Sequence, residues 1–117
     1  MSLDFDSARL PNIHLKAEHH EWRAQLRRFF EREVIPFAAQ WDEDGCIPDE
    51  LWPKSAAVGM LGLGFPEEFG GVSEGIDIWY GIILNEEMAR IAVGGVAASL
   101  MVHGIGLPPV INFGSDE

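Results

Sequence analysis

Residues 15–37 read LKAEHHEWRAQLRRFFEREVIPF, which is the clearest helix pattern in the chain. Its apolar side chains recur at steps of three, four and seven, which places them on one face of an α-helix. Charged side chains occupy most of the opposite face. The apolar face consists of Leu15, Trp22, Leu26, Phe29, Phe30, Val34 and Phe37. We expect Pro36 to kink or restart this helix, because proline lacks an N–H and clashes with the preceding turn.

The chain after this helix also carries helix signals. The first helical region is expected to end at Gly45, after a run of poor helix formers. Pro48 and the acids that follow it predict a new helix start. Gly59 is the glycine expected to end that helix. Residues 59–75 then form a long loop that contains six glycines.

Two more helices are predicted towards the C-terminus, over about 76–91 and 96–106. Pro108-Pro109 is expected to open a last short turn that ends at Gly114. No stretch shows the sustained alternation of a β-strand. The sequence therefore predicts an all-α chain with no internal repeat and no low-complexity segment.

The chain has 117 residues and a formal net charge of −11. Residues 1–32 carry six basic and five acidic side chains, a net +1, whereas residues 33–117 carry two basic and fourteen acidic ones, a net −12. This balance argues against nucleic acid as a partner, because phosphates require a positive surface. The single cysteine, Cys46, excludes an intramolecular disulfide. Neither a signal peptide nor an Arg-rich transit peptide is indicated, so we expect a cytoplasmic protein.

Residues 91–115 contain no Asp, Glu, Lys or Arg. A transmembrane helix is one interpretation, since about 20 apolar residues span a bilayer. Glycines, two prolines, His103 and Asn112 interrupt the stretch and argue against a membrane span. We therefore expect a helix that is buried on all sides. A domain this small cannot easily surround such a helix, which indicates that partner surface is missing.

Several catalytic and metal-binding motifs fail on spacing. His20-Glu21 begins like a zinc-protease helix, but Ala24 stands where the second histidine is required. We expect His19 and His20 to be solvated at the helix start, and no metal site is predicted. Gly62-Leu63-Gly64 lacks the third glycine of a dinucleotide-binding loop, and no strand precedes it.

Two further candidates for chemistry also have structural interpretations. Cys46 lies in a turn without a nearby histidine or basic cluster, so it is not predicted to be a nucleophile. Glu86 and Glu87 point about 100° apart on a helix, which does not suit a catalytic carboxylate pair. We expect one of them to pair with Arg90 and the other to be solvated.

An ordered set of segments carries a resemblance to a known family. The segments are FFEREVIP (29–36), WD (41–42), PDELW (48–52), GMLGL (59–63), PEEFGG (66–71), NEEMAR (85–90) and FGSDE (113–117). Together they resemble the N-terminal helical domain of the acyl-CoA dehydrogenase family, from about residue 15 to the last residue. Residues 15–117 are thus expected to be that domain, truncated before its final helix. Residues 1–14 are expected to be an extended segment, in which Met1-Ser2-Leu3 can be interpreted as an expression scar.

The resemblance implies a three-domain enzyme that carries FAD and oxidises an acyl-CoA thioester between its α and β carbons. A carboxylate removes the α proton, the β hydrogen leaves as hydride to the flavin, and electrons pass to an electron-transfer flavoprotein. The base and most flavin contacts belong to the missing middle and C-terminal domains. We therefore expect no catalytic residue in this chain, no FAD bound to it and no activity from it alone. Its cofactor-binding residues are unknown, and a homo-oligomer is implied.

The resemblance also places the uncharged helix beside the fatty-acyl pocket. Steps of three and four residues place four side chains on about one face of this helix: Ala97, Ala98, Met101 and Ile105. The alanines leave room for an acyl tail, and Met101 offers an adaptable apolar surface. Plain core packing is the alternative for each of these residues. With no arginine on this face, a dicarboxylic substrate is disfavoured.

Two expectations follow for polar groups. His103 is expected to be a hydrogen-bonded buried histidine and not a catalytic one. The phosphates of coenzyme A need cations, and residues 33–117 offer only Lys54 and Arg90, so we expect the nucleotide end to be bound outside this chain.

Two other classes of function stay open at this point. One is a noncatalytic, acidic helical interaction module whose apolar helix contacts a partner. The other is a membrane-associated helical protein that uses residues 91–111.

Overall fold

A computed structural model describes residues 3–117 of the chain. The five α-helices are α1 (Ala17–Glu33), α2 (Ala38–Asp44), α3 (Leu51–Val58), α4 (Ile78–Ala89) and α5 (Gly94–Phe113). Within residues 3–117 there is no β-strand, and an isolated bridge joins Leu63 to Val72. The predicted all-α fold is confirmed.

The N-terminal segment is not extended throughout. Asp6–Ala8 form a short 3₁₀ helix, and the backbone N–H of Leu3 donates to the carbonyl of Arg90. The interpretation of an expression scar falls mostly on Met1 and Ser2, which lie outside the described residues.

α1 is the helix on which α3 and α4 pack. The predicted apolar face is confirmed for five of its seven side chains, since the buried ones are Trp22, Leu26, Phe29, Phe30 and Val34. Leu15 is partly buried against this core. Phe37 is half exposed, because the chain turns at Pro36 and the helical face does not continue to residue 37.

The helices are interrupted and end at the residues predicted from the sequence. α1 ends at Glu33 and α2 begins at Ala38, so Pro36 restarts the helix as predicted. Gly45 ends α2 with φ of 73°, and Gly59 ends α3 with φ of 95°. Both angles lie in the left-handed region, where glycine carries no Cβ penalty.

α5 is longer than predicted. The expectation of a helix over 96–106 with a separate turn at Pro108-Pro109 is wrong, because one helix runs from Gly94 to Phe113. The φ of proline suits a helix. Pro108 and Pro109 have an energetic cost because they lack the N–H groups that would donate to the carbonyls of Gly104 and Ile105. Both of these residues are exposed, so water can solvate the freed carbonyls.

α5 is also far less buried than predicted. Val96 and Leu100 are buried, yet Ile105 is 74% exposed and Phe113 is 88% exposed. The expectation of burial on all sides is wrong because the described elements cover only part of the helix surface. Among the described residues, α5 alone has the length and apolar composition to cross a membrane, and 11% of its apolar window is buried. This is weak support for a span, since core helices of soluble proteins pass the same test.

The core makes a direct prediction about stability. Leu26 is fully buried on α1. We expect Leu26→Ala to lower the free energy of unfolding by about 2–5 kcal/mol, because it removes transfer free energy and leaves a cavity. Urea denaturation followed by far-UV circular dichroism measures the loss. Leu10→Ala is the matched control, since Leu10 is 83% exposed and its truncation should stay within about 0.5 kcal/mol. Equal losses in the two variants would contradict the assignment of the core.

Candidate functional site

Glu87 on α4 is a fully buried carboxylate held by arginines. Its Oε1 accepts hydrogen bonds from Arg23 Nη1 at 3.0 Å and Arg27 Nη2 at 2.8 Å. Its Oε2 accepts a third from Arg27 Nε at 3.0 Å. Burial alone raises the pKa of Glu87, but the hydrogen bonds from Arg27 and Arg23 outweigh it, so the pKa lies below its ordinary value. Glu87 is therefore a structural anion and a poor proton acceptor.

The ion pairs near Glu87 close into a ring, which we call the ion-pair ring. It joins the N-terminal segment, α1 and α4. Asp6 Oδ1 lies 2.7 Å from Arg9 Nη1 and Asp6 Oδ2 lies 2.6 Å from Arg27 Nη1. Glu86 Oε2 lies 3.5 Å from Arg9 Nη2 and 2.6 Å from Arg23 Nη2. In order, the ring consists of Asp6, Arg9, Glu86, Arg23, Glu87 and Arg27.

The sequence prediction for Glu86 and Glu87 is confirmed for one contact and wrong for the rest. Arg90 Nε does lie 3.6 Å from Glu87 Oε2. Neither acid is simply solvated, however, because Glu86 contacts Arg23 and Glu87 is buried. Spacing along one helix shows only partners three or four residues away. The main partners of both acids lie on α1, which helix packing alone brings near.

His19 is buried, so the prediction that it is solvated is wrong, whereas His20 is exposed as predicted. Nδ1 of His19 accepts from the backbone N–H of Lys16 at 2.9 Å, so Nε2 carries the proton and donates to Asp77 at 3.0 Å. Asp77 in turn accepts from the backbone N–H of Trp79 and caps α4. His19 thereby joins the starts of α1 and α4. Within residues 3–117 no group of three or more His, Cys, Asp or Glu side chains could hold a metal ion.

The glycine-rich loop is a closed structure. Val72 N–H donates to the carbonyl of Gly62, and Gly64 N–H donates to the carbonyl of Val72, both at 2.8 Å. At Gly71 an added Cβ would lie 2.2 Å from the carbonyl oxygen of Phe65, so only glycine fits. Close backbone approach thus explains Gly62 and Gly71, whereas Gly64, Gly70 and Gly75 have positive φ, which glycine adopts without a Cβ penalty.

A cavity of about 320 Å³ lies among this loop, α4 and α5, and we call it the α4–α5 cavity. Most of its wall is apolar. Gly81 and Gly104 belong to the wall, and a Cβ at either position would meet nothing within 4 Å. The lining residues are Met60, Leu63, Phe65, Gly81, Leu84, Asn85, Met88, Leu100, Met101, His103, Gly104 and Ile105.

The structure places two of the four predicted pocket residues at this cavity. Met101 and Ile105 line it. Ala97 and Ala98 are not among its lining residues: Ala97 packs against the core and Ala98 is exposed. The part of α5 that lines the cavity runs from Leu100 to Ile105, and both alanines precede it.

Sequence reasoning missed most of the wall. Met60, Leu63 and Phe65 come from a loop that reaches the cavity only through tertiary packing. Gly81 carried a usable signal, because a glycine in the interior of a helix disfavours the helix unless close approach or free space is needed there.

His103 differs from its prediction. It is only partly buried, and its Nδ1 is shielded from solvent without a hydrogen-bond partner among residues 3–117. Its ring centroid lies 6.4 Å from that of Phe65. The expected hydrogen bond is thus missing at Nδ1.

A second cavity of about 500 Å³ lies under the C-terminal half of α5. Apolar side chains from the loop and from α5 form much of its wall, including Leu61, Phe69 and Val110. Phe65 lines both cavities, and neither is lined by Lys or Arg.

The ion-pair ring makes a prediction about pH. We expect Glu87→Gln to lower the free energy of unfolding by about 3 kcal/mol near neutral pH, because the partly buried Arg23 and Arg27 and the buried Arg90 lose a counter-charge. The folded pKa of Glu87 lies below the unfolded value of 4.5, so its stabilisation is present above pH 4.5 and is lost as the pH falls through the folded pKa. The difference between the wild type and Glu87→Gln should therefore shrink in acid. Urea denaturation near neutral pH and in strong acid measures it.

Glu68→Gln is the control for this experiment, since Glu68 is exposed on the loop. Its effect should stay within about 0.5 kcal/mol. A difference between the wild type and Glu87→Gln that is the same at both pH values would contradict the role given to Glu87.

Comparisons with known proteins agree with the fold. A family profile described as acyl-CoA dehydrogenase, N-terminal domain, matches residues 16–117. A long-chain specific acyl-CoA dehydrogenase, mitochondrial, of Sus scrofa is 38% identical over 101 residues, which cover 86% of this chain and 23% of that protein. A short-chain specific acyl-CoA dehydrogenase, mitochondrial, of Rattus norvegicus is 33% identical over 107 residues, covering 91% and 25%. A probable acyl-CoA dehydrogenase of Mycobacterium leprae is 36% identical over 115 residues, covering 97% and 27%.

No solved structure gives a significant match. The chain spans about a quarter of the length of the curated relatives described above. The profile match nevertheless covers α1 to α5 and the loop that closes at Val72. The chain therefore belongs to the acyl-CoA dehydrogenase family, in which it corresponds to the N-terminal domain.

Proposed function

We propose that this chain is part of an FAD-dependent acyl-CoA dehydrogenase and supplies one wall of its acyl pocket. The enzyme would remove hydrogens from the α and β carbons of an acyl-CoA thioester. One observation carries the pocket proposal. Met101 and Ile105 of α5 line the α4–α5 cavity together with Leu84 and Met88 of α4. Such an apolar space suits a hydrocarbon chain.

Three methionines line this cavity: Met60, Met88 and Met101. Methionine is unbranched and flexible, so it fits apolar chains of differing shape. Ala97 and Ala98 enter the proposal only as small residues that precede the part of α5 lining the cavity.

The two cavities offer no cation to the diphosphate of FAD, because neither is lined by Lys or Arg. Six of the eight basic side chains contact carboxylates instead, and these are Arg9, Arg23, Arg27, Arg32, Lys54 and Arg90. We assign FAD and the carboxylate that removes the α proton to the middle and C-terminal domains of the enzyme.

The same charge distribution bears on the substrate. A carboxylate at the tail of the acyl chain would find no cation in the α4–α5 cavity, so the proposal is for monocarboxylic acyl groups. The remaining features rest on the family alone: transfer of electrons to an electron-transfer flavoprotein, and assembly as a homo-oligomer. Two relatives are named as mitochondrial proteins, and a cytoplasmic location for this chain stays a prediction.

α5 favours a second candidate function. Its apolar surface is largely exposed, and its length and hydropathy suit a membrane as well as a protein partner. The second candidate is therefore membrane association through α5.

Filling the cavity tests the pocket proposal. Gly81→Leu places a side chain in the open space of the α4–α5 cavity and raises helix propensity, so the fold should be kept. We expect the neutral octanoyl thioester of N-acetylcysteamine to shift the ¹³C-methyl NMR signals of Met60, Met88 and Met101 in the wild type. The shifts should be lost in Gly81→Leu, because the space is occupied.

Gly106→Leu is the matched control. It makes the same change in a helix, also into open space, at a position that does not line the cavity. It should keep the wild-type shifts. Equal binding by Gly81→Leu and the wild type would refute the pocket assignment. If no methionine signal shifts with the thioester and the chain co-sediments with neutral lipid vesicles, the second candidate is supported.

Coenzyme A provides a separate prediction. Because neither of the two cavities is lined by Lys or Arg, free coenzyme A should not bind this chain at micromolar concentrations. Isothermal titration calorimetry at low salt, where charge attraction is strongest, measures this. Micromolar binding would show that the chain itself holds the nucleotide end of the substrate.

A further inference from the structure

The first part of the chain is attached to the helices by few contacts. We call residues 3–14 the N-terminal strap, and none of its side chains is buried. Ion pairs and one ring stacking hold it on α1 and α4: Asp6 with Arg27, Arg9 with Glu86 and His14 with Trp79. An element without buried apolar side chains opens at a low free-energy cost, so the strap can detach while the helices stay folded.

One end of the strap is bound to the connection between α4 and α5. The backbone N–H of Leu3 donates to the carbonyl of Arg90 at 3.1 Å. The side chain of Arg90 is held as well, since its Nη2 donates to Glu31 Oε1 at 3.1 Å. Arg90 directly follows α4, and α5 begins four residues later at Gly94. The strap thus fixes a point on the short connection between the two helices.

This connection is strained at Ala92. Its φ is 60°, in the left-handed region, where a Cβ is unfavourable. No other non-glycine residue within 3–117 has a positive φ. Such a conformation persists only where neighbouring contacts enforce it. The hydrogen bond from Leu3 to Arg90 is one of those contacts, so its loss should let the connection relax.

α5 has few contacts that would resist such a change. Its buried side chains are Val96 and Leu100, and 11% of its apolar window is buried. Met101 lines the α4–α5 cavity and lies about 10 Å along the helix from Gly94. A small rotation at the connection would therefore move Met101 relative to α4 and change the width of the cavity.

We propose that the N-terminal strap is a releasable clamp that holds the α4–α5 cavity in its present shape. When the strap is bound, it keeps the connection strained through Leu3 and Arg90. When it is released, α5 moves against α4 and the space for a ligand changes. Salt weakens the clamp at Asp6, because this side chain is 44% exposed and its attraction to Arg27 can be screened. As a control on acyl binding, the clamp rests on the proposed function of this cavity.

Asp6→Asn tests the clamp without any acyl probe. The change removes the charge that attracts Arg27 and keeps the size of the side chain. We expect trypsin to cleave after Arg9 about threefold faster in this variant, because cleavage follows the population of the open strap. Mass spectrometry of the fragments measures the rate at that bond. Asp4→Asn is the matched control and should keep the wild-type rate, since Asp4 accepts from the backbone N–H of Asp6 within the strap.

The methionines of the cavity test the second half of the proposal. The ¹³C-methyl NMR signals of Met88 and Met101 should shift in Asp6→Asn, and those of the wild type in about 1 M salt should shift in the same direction. Ala92→Gly removes the strain, since glycine adopts a positive φ without a Cβ penalty. When Asp6→Asn is added to Ala92→Gly, the two signals should therefore stay in place.

The outcomes separate the clamp from the proposed function. Faster cleavage of Asp6→Asn with unchanged methionine signals would overturn the coupling between the strap and the cavity. An unchanged cleavage rate, or equal effects of Asp4→Asn and Asp6→Asn, would overturn the clamp itself. None of these results bears on the acyl pocket, because no probe is present, and the pocket is tested by the shifts that the octanoyl thioester causes.

Discussion

A buried carboxylate needs positive charge within hydrogen-bond reach, and Glu87 obtains it from two arginines of α1. The removal of either side of such a pair leaves an uncompensated buried charge, which is far more costly than the net gain from the pair itself. The consequence is geometric. Arg23 contacts both Glu86 and Glu87 while Arg27 contacts Glu87, so α1 and α4 can pack in this form at one register only. Asp6 extends the same constraint to the N-terminal segment.

This register sets the position of the cavity because one face of α4 packs on α1 and a neighbouring face lines the cavity. Tyr80, Ile83 and Glu87 face α1: the carbonyl of Tyr80 accepts from Trp22 Nε1 at 3.1 Å, and Ile83 is fully buried. Gly81, Leu84 and Met88 lie on the neighbouring face and line the α4–α5 cavity. A shift of α4 by one residue along α1 would rotate these side chains by about 100° and remove them from the cavity wall. A cluster of charges on one side of the helix thus fixes an apolar surface on the other.

The parts of the fold that depend on local rules could be predicted from the sequence. The apolar face of α1, the interruption at Pro36 and the helix ends at Gly45 and Gly59 follow from periodicity, a missing N–H and the left-handed region. The order of segments also indicated the family.

Features that depend on non-local contacts could not be predicted in this way. The arginine partners of Glu87 and the Asp77 partner of His19 lie about 60 positions away in the chain, beyond the reach of helical spacing. The continuity of α5 through its prolines depends on exposed carbonyls that water can solvate, which the proline rule alone does not reveal. For the candidate site, spacing predicted Met101 and Ile105, which line the cavity, together with Ala97 and Ala98, which do not. The loop residues of the wall carry no periodic signal, because tertiary packing alone brings them to α4 and α5.

Phe65 belongs to the walls of both cavities, and its backbone is held in place. Its N–H donates to the carbonyl of Gly62, and its own carbonyl lies so close to Gly71 that no side chain fits there. With the backbone fixed, the ring can respond to a ligand only by turning about its side-chain bonds. Because Phe65 lines both cavities, a change in its side-chain torsions would alter the shape of their walls. The two cavities thus share a wall residue whose side chain can adjust without movement of a helix.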